Sequence, residues 1–247
     1  MKFYSSLTSS IKGGTKRFAV LIDPDKYTLD RLKRLIKVAC TSGVDYFFFG
    51  GSLLTRDQQE LFLTQIKESC TIPVILFPGN HFQINAKADG ILFLSLISGR
   101  NPELLIGKHV VAAPYLKASK LEVIPTGYLL VDGGNRSTVA YMSNTDPIPS
   151  EKSEIAVCTA LAGELLGLKV IYMDAGSGAT NPVPLSMIKQ VNKHIAIPLV
   201  VGGGIRTPLQ AAKACQSGAD LVVVGNAIEE DITLVPKISD AIHEISL

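Results

Sequence analysis

Short β-branched and aromatic runs alternate with amphipathic stretches along the whole chain. Phe18–Ile22, Asp45–Phe49, Pro73–Phe77, Gly90–Leu94, Val123–Val131, Val170–Met173, Pro198–Val201 and Leu221–Val224 have the length and content of strands. Leu29–Thr41 carries Leu32, Leu35, Ile36 and Ala39 on one helical face. Asp57–Ser69, Asn101–Lys117, Ser153–Leu166, Pro184–His194, Pro208–Ser217 and Asp231–Ser246 also read as helices. Pro208 falls at a helix start, where its missing N–H costs nothing. Repeated strand-to-helix steps in one direction predict an α/β fold, a closed (β/α)8 TIM barrel rather than an open sheet. The 247 residues suit one such barrel, and no linker divides them, so residues 1–247 are expected to form a single domain.

Two stretches break the rhythm. Only Pro78–Ala88 separate the third and fourth strands, fewer than a parallel crossover with a full helix needs. The third helix is therefore expected to be abbreviated. That leaves either a short packed helix or a gap in the barrel wall, a slot for a long apolar ligand. Phe77, Phe82 and Phe93 are candidates to line such a slot, and equally ordinary core. Asp132–Ser150 is rich in Gly, Asn, Ser, Thr and Pro, too long for an ordinary turn, and is expected to cover the mouth of the active site.

Composition narrows the function. A net charge of +2 with no basic run argues against nucleic acid as a partner. The basic residues of Arg31–Lys37 are interleaved with Leu and Ile, as on the solvated face of an amphipathic helix. Cys40, Cys70, Cys158 and Cys215 are scattered among helical, apolar neighbours and read as reduced core residues of a cytoplasmic protein. His81, His109, His194 and His243 lack zinc-ligand spacing. The opening segment lacks the apolar core of a signal peptide. No stretch reaches the roughly 18 apolar residues of a membrane span, so membrane contact, if any, is transient. Apolar residues on the outer helices suggest a homo-oligomer.

In a barrel the chemistry sits at the carboxyl ends of the strands. Those ends carry Asp23, Asp25 and Lys26, then Gly50, Gly51 and Ser52, then Asp174 with Gly176–Gly178, Gly202–Gly204, and Gly225 with Asn226. Three glycine-rich turns before helices are suited to cradle one phosphate, because glycine lets N–H groups approach an anion. No nucleophile–histidine pair is evident. Carboxylate and hydroxyl oxygens suit Mg²⁺ shared with substrate phosphates. Taken alone, the Asp23–Lys26 turn is also a plain capped turn, and Gly50–Ser52 plain turn geometry.

The ordered set LIDPDK (Leu21–Lys26), FFGGS (Phe48–Ser52), YMDAGSGA (Tyr172–Ala179), VVGGGIRT (Val200–Thr207) and VVVGNAIEED (Val222–Asp231) resembles the geranylgeranylglyceryl phosphate synthases and their heptaprenyl relatives. DPIPSEK (Asp146–Lys152), before a helix holding ALAGELLG, resembles the archaeal-type branch. The resemblance runs end to end. It implies a prenyltransferase that joins the 3-hydroxyl of sn-glycerol 1-phosphate to a prenyl diphosphate and releases pyrophosphate, in ether-lipid synthesis. It implies Asp23 and Ser52 as Mg²⁺ ligands against the diphosphate, with Lys26 adding charge. Tyr172, Met173, Asp174, Ala175, Gly176, Ser177 and Gly178 would bind glycerol phosphate, and Gly203, Gly204, Gly225 and Asn226 its phosphate. Tyr172 and Asp174 would be catalytic, Asp174 as base, although the family usually has glutamate there. The alternatives are a phosphate-binding isomerase or lyase of amino-acid biosynthesis, which also sets an acid and a base across the barrel mouth, and a non-catalytic phosphate-binding protein.

Overall fold

The computed structural model describes residues 2–80 and 82–245; His81 and the last residue of the predicted final helix, Ser246, lie outside them. Eight strands, β1 (Arg17–Ile22), β2 (Tyr46–Phe49), β3 (Val74–Leu76), β4 (Gly90–Leu96), β5 (Glu122–Leu130), β6 (Val170–Asp174), β7 (Leu199–Gly202) and β8 (Leu221–Val224), close in sequence order. Every neighbour is parallel, and β8 pairs with β1. Side chains alternate between two faces of each strand, which splits the core in two. Phe48, Ile75, Tyr128, Tyr172 and Val200 fill the barrel. Phe47, Phe49, Ile171, Met173 and Val201 face the helices.

The helices are α1 (Phe3–Lys12), α2 (Leu29–Thr41), α3 (Gln59–Ser69), α4 (Lys108–Ala118), α5 (Thr138–Ser143), α6 (Ser153–Leu165), α7 (Leu185–His194), α8 (Pro208–Gln216), α9 (Asn226–Glu230) and α10 (Leu234–His243). Local chemistry sets their ends. The Thr28 hydroxyl caps α2 by accepting from Arg31 N–H, and Thr207 with Gln210 forms a capping box on α8. The helix after β4 opens as a π-helical turn, Glu103–Gly107.

Three features go beyond the sequence reading. The opening segment forms α1, which plugs the barrel at the amino ends of the strands. Phe3 meets the Tyr46 ring edge-on at 4.8 Å, and Leu7 is fully buried. The Glu122 carboxylate accepts from the N–H groups of Phe3 and Tyr4, the latter at 3.1 Å, an anion at a helix start worth roughly 1 kcal/mol. The 132–150 segment holds α5, capped by Ser137 accepting from Ala140 N–H and closed by Asn144 at φ 51°. It is pinned where Ile148 pairs with Val131. The cysteines are all free, but Cys40 and Cys158 are exposed and only Cys215 is buried. Cys40 follows the core-facing Ala39, and one helical step turns it outward.

The abbreviated crossover is real. Among the described residues between β3 and β4 there is no helix. β3 and β4 share a short register, Ile75 with Gly90 and Leu76 with Ile91.

Candidate active site

The turns after β6, β7 and β8 converge at the carboxyl end of the barrel. Gly176, Gly178, Gly203 and Gly204 take φ values of +89°, +76°, +77° and +71°, which disfavour any side chain. Gly203 is needed for a second reason. A Cβ there would collide with Asp174 Oδ1 and lie 2.7 Å from the amide nitrogens of Ala175 and Gly176. The third turn is tied to the first by Asn226, whose Oδ1 accepts from Gly178 N–H at 3.0 Å and from the Ser177 hydroxyl at 3.1 Å. These turns line a polar cavity of about 70 Å³.

At its inner edge lies Asp174. Its Oδ2 accepts from the Tyr128 hydroxyl at 2.6 Å and its Oδ1 from Gly176 N–H at 2.8 Å. Burial raises its pKa above the ordinary carboxylate value, and the two hydrogen bonds partly hold it down. Tyr172 is buried one pleat earlier, its ring stacked on Phe77 at 5.1 Å. Burial and the Asp174 charge push the phenol pKa of Tyr172 well up, so it stays protonated.

On the other side, Asp23 caps the short turn Pro24–Lys26 by accepting from Asp25 N–H at 3.1 Å. The capped-turn reading of this motif therefore holds, alongside its place in the site. Asp25 fixes the loop after Ser52 by accepting from Thr55 and Arg56 N–H. Burial raises the Asp23 pKa despite Lys26 Nζ at 3.7 Å from Oδ2. Lys26 also reaches Glu229 Oε2 at 3.2 Å.

A second cavity, of about 220 Å³, opens between the helix-free crossover and α4, with Ile84, Phe93, Leu104 and Leu116 among its walls. It joins the polar one along Gly51, Ser52, Phe77, Tyr128 and Val139. Val139 belongs to α5, so the 132–150 segment does cover the mouth. A glycine-turn cavity with a buried carboxylate thus opens into an apolar slot. Residues 13–246 match the model of the PcrB family.

The chain belongs to the PcrB family. The geranylgeranylglyceryl phosphate synthase of Chitinophaga pinensis is 52% identical over 98% of this chain and 96% of that protein. The protein of the same name from Spirosoma linguale is 49% identical over 94% of each. The crystal structure of (S)-3-O-geranylgeranylglyceryl phosphate synthase from Thermoplasma acidophilum in complex with sn-glycerol-1-phosphate superposes with a TM-score of 0.93 at 33% identity. That match covers 99% of this chain and 100% of that one.

Of the residues the family resemblance assigned, Asp23, Ser52, Tyr172, Asp174, Gly176–Gly178, Gly203, Gly204, Gly225 and Asn226 line the polar cavity. Met173 and Ala175 do not; they lie in the outer core facing the helices, because strand alternation that turns Tyr172 and Asp174 inward turns their neighbours outward. Phe82 is exposed and off the apolar slot, while Phe77 and Phe93 line it. Tyr128, Glu229 and Arg206 also line the polar cavity and were not singled out from sequence. Tyr128 stands beside Tyr172 in the β5–β6 register, a neighbour relation that the closed barrel reveals.

Among the described residues no three His, Cys, Asp or Glu side chains gather as a metal cage. The donor set nevertheless fits Mg²⁺ that keeps waters and shares its shell with phosphates. Asp23 Oδ2 faces Gly51, where an added Cβ would come within 3.2 Å of it, and the Ser52 turn follows at once.

Proposed function

We infer that this PcrB-family chain is a prenyltransferase. It forms a bond between the 3-oxygen of sn-glycerol 1-phosphate and C1 of a long-chain prenyl diphosphate, most simply geranylgeranyl diphosphate. The C1–oxygen bond breaks, pyrophosphate leaves, and the hydroxyl proton passes to a base. The observation that carries this reading is the union of the two cavities. A phosphate cradle beside a buried carboxylate meets an apolar slot along Ser52 and Phe77. An isomerase of small sugar phosphates has no use for that slot.

Within this reading the glycine turns bind the glycerol phosphate headgroup, and Asp174 takes the proton. Tyr128 holds the carboxylate toward the substrate. Tyr172 supplies a protonated phenol beneath it. Asp23 and Ser52 would hold Mg²⁺, which supplies positive charge against the departing diphosphate. Lys26 adds a fixed cation at the same edge. Exposed Ile106, Val110 and Tyr115 on the outer surface around α4 support self-association. No helix among the described residues is long and apolar enough to cross a membrane.

The test is pyrophosphate release from the purified protein given Mg²⁺, geranylgeranyl diphosphate and either enantiomer of glycerol phosphate. Release is expected with sn-glycerol 1-phosphate and not with the 3-phosphate. Silence with both would overturn the reading. Chelation should stop release and added Mg²⁺ restore it. Asp23→Asn should lower kcat/KM for the prenyl diphosphate by about a hundredfold or more, the scale of losing one electrostatic stabiliser of the leaving group. Tyr128→Phe removes a hydrogen bond that lowers the Asp174 pKa. The acid limb of its pH–rate profile should therefore move to higher pH; an unmoved limb would separate Asp174 from proton transfer.

A further inference from the structure

We propose that Glu229 is a positioning residue that couples the two halves of the site, a role that rests on the prenyltransferase reading. Its carboxylate is buried in the wall of the polar cavity and has two partners there. Oε2 accepts from Asn226 Nδ2 at 3.1 Å, and the same oxygen lies 3.2 Å from Lys26 Nζ.

The Asn226 contact decides which way an amide faces. The two ends of an asparagine amide have nearly the same shape and opposite hydrogen-bonding roles. An ionised carboxylate only accepts, so Glu229 fixes the NH₂ group on its own side. That leaves Oδ1 for Gly178 N–H and the Ser177 hydroxyl. The Gly176–Gly178 turn thereby keeps its shape before any ligand arrives. Without Glu229 the NH₂ end loses its acceptor, and only the Gly178 N–H and the Ser177 hydroxyl still hold the amide in place.

The Lys26 contact works on the diphosphate side. Lys26 is a long, partly exposed side chain whose rotamers are costly to order. Held between Glu229 and Asp23, its ammonium is already in place. One buried carboxylate thus presets the glycerol phosphate turn through Asn226 and the cation beside Asp23 through Lys26.

Two substitutions separate the arms. Calorimetric titration with sn-glycerol 1-phosphate alone, without Mg²⁺ or prenyl diphosphate, reads the Asn226 arm. Glu229→Ala should weaken this binding about tenfold, the size of one charge-assisted hydrogen bond. Glu229→Gln keeps an acceptor for Nδ2 and should bind within about twofold of wild type. Steady-state turnover reads the Lys26 arm. Both variants lose the ion pair, so KM for the prenyl diphosphate should rise about five- to tenfold in each. Unchanged titration by Glu229→Ala, or equal defects of Glu229→Gln in both assays, overturns the proposal. Should Glu229→Ala not fold, Glu229→Gln decides alone: a raised KM with unchanged glycerol phosphate affinity supports the coupling, and any other pattern overturns it. Failure of the functional reading would show instead in the wild-type chain, as no pyrophosphate, while the titration still tests the Asn226 arm.

Discussion

Asp174→Asn should bind sn-glycerol 1-phosphate nearly as well as wild type and lose about a hundred- to ten-thousandfold in kcat, the span of general-base catalysis. The substitution is close to isosteric. Its Oδ1 can still accept from Gly176 N–H, and its NH₂ can donate to the Tyr128 oxygen, so the polar frame survives with its direction reversed at Tyr128. What disappears is the proton acceptor. Single-turnover measurement of pyrophosphate release beside calorimetric binding separates the two effects, and near-normal turnover would remove Asp174 from the base role. Stability should move the other way. Burial raises the folded-state pKa of Asp174, so the folded chain holds this proton more tightly than the unfolded one. That contribution favours folding below the ordinary carboxylate pKa and is lost as pH rises through the raised value. At neutral pH the buried charge therefore opposes folding. The asparagine variant should melt higher than wild type at pH 7, and the gap should close in acid.

Gly203→Ala should damage both the fold and the glycine-turn cavity. Its left-handed backbone, φ +77°, costs a side chain roughly 1–2 kcal/mol. The added methyl also collides with Asp174 and crowds the amides of Ala175 and Gly176, so the β6 and β7 turns must part. Gly167 provides the control. It has φ +88° and nothing within 4 Å of an added Cβ, so Gly167→Ala carries the backbone cost alone. Melting curves should show both variants destabilised, Gly203→Ala more. Only Gly203→Ala should lose glycerol phosphate binding, by about a hundredfold or more for a displaced cradle. Equal losses in the two variants would mean that close approach of the turns does not build the cradle.

The barrel was legible because its strands and helices differ in period, and tertiary packing agreed with both. α2 falls on Leu29–Thr41, as its apolar face foretells. The glycine-rich turns were legible because glycine is the residue their positive-φ geometry demands. What escaped was whatever depends on facing. Met173 and Ala175 share a motif with Tyr172 and Asp174, but motif membership carries no direction, and the pleat turned them away. Tyr128 meets Asp174 and Glu229 meets Lys26, contacts between residues far apart in the chain. Short elements escaped too. α1 is held by a distant carboxylate, and α5 by a serine cap inside a stretch whose composition reads as loop.

The absence of a helix between β3 and β4 among the described residues bears on what completes the fold. Elsewhere the barrel wall is two layers thick, strand and then helix. Between β3 and β4 it is one layer, bordered by a slot with Phe93 and Leu116 in its lining. A prenyl chain seated there would stand where a structural element normally stands, burying the same kind of surface a helix would bury. Ligand binding and folding would then draw on one set of contacts, and a ligand in the slot would stabilise the folded state by an amount that grows with the logarithm of its concentration. A substrate seated there would in that sense be the barrel's missing building block, and the protein would be at its most complete as an architecture while at work.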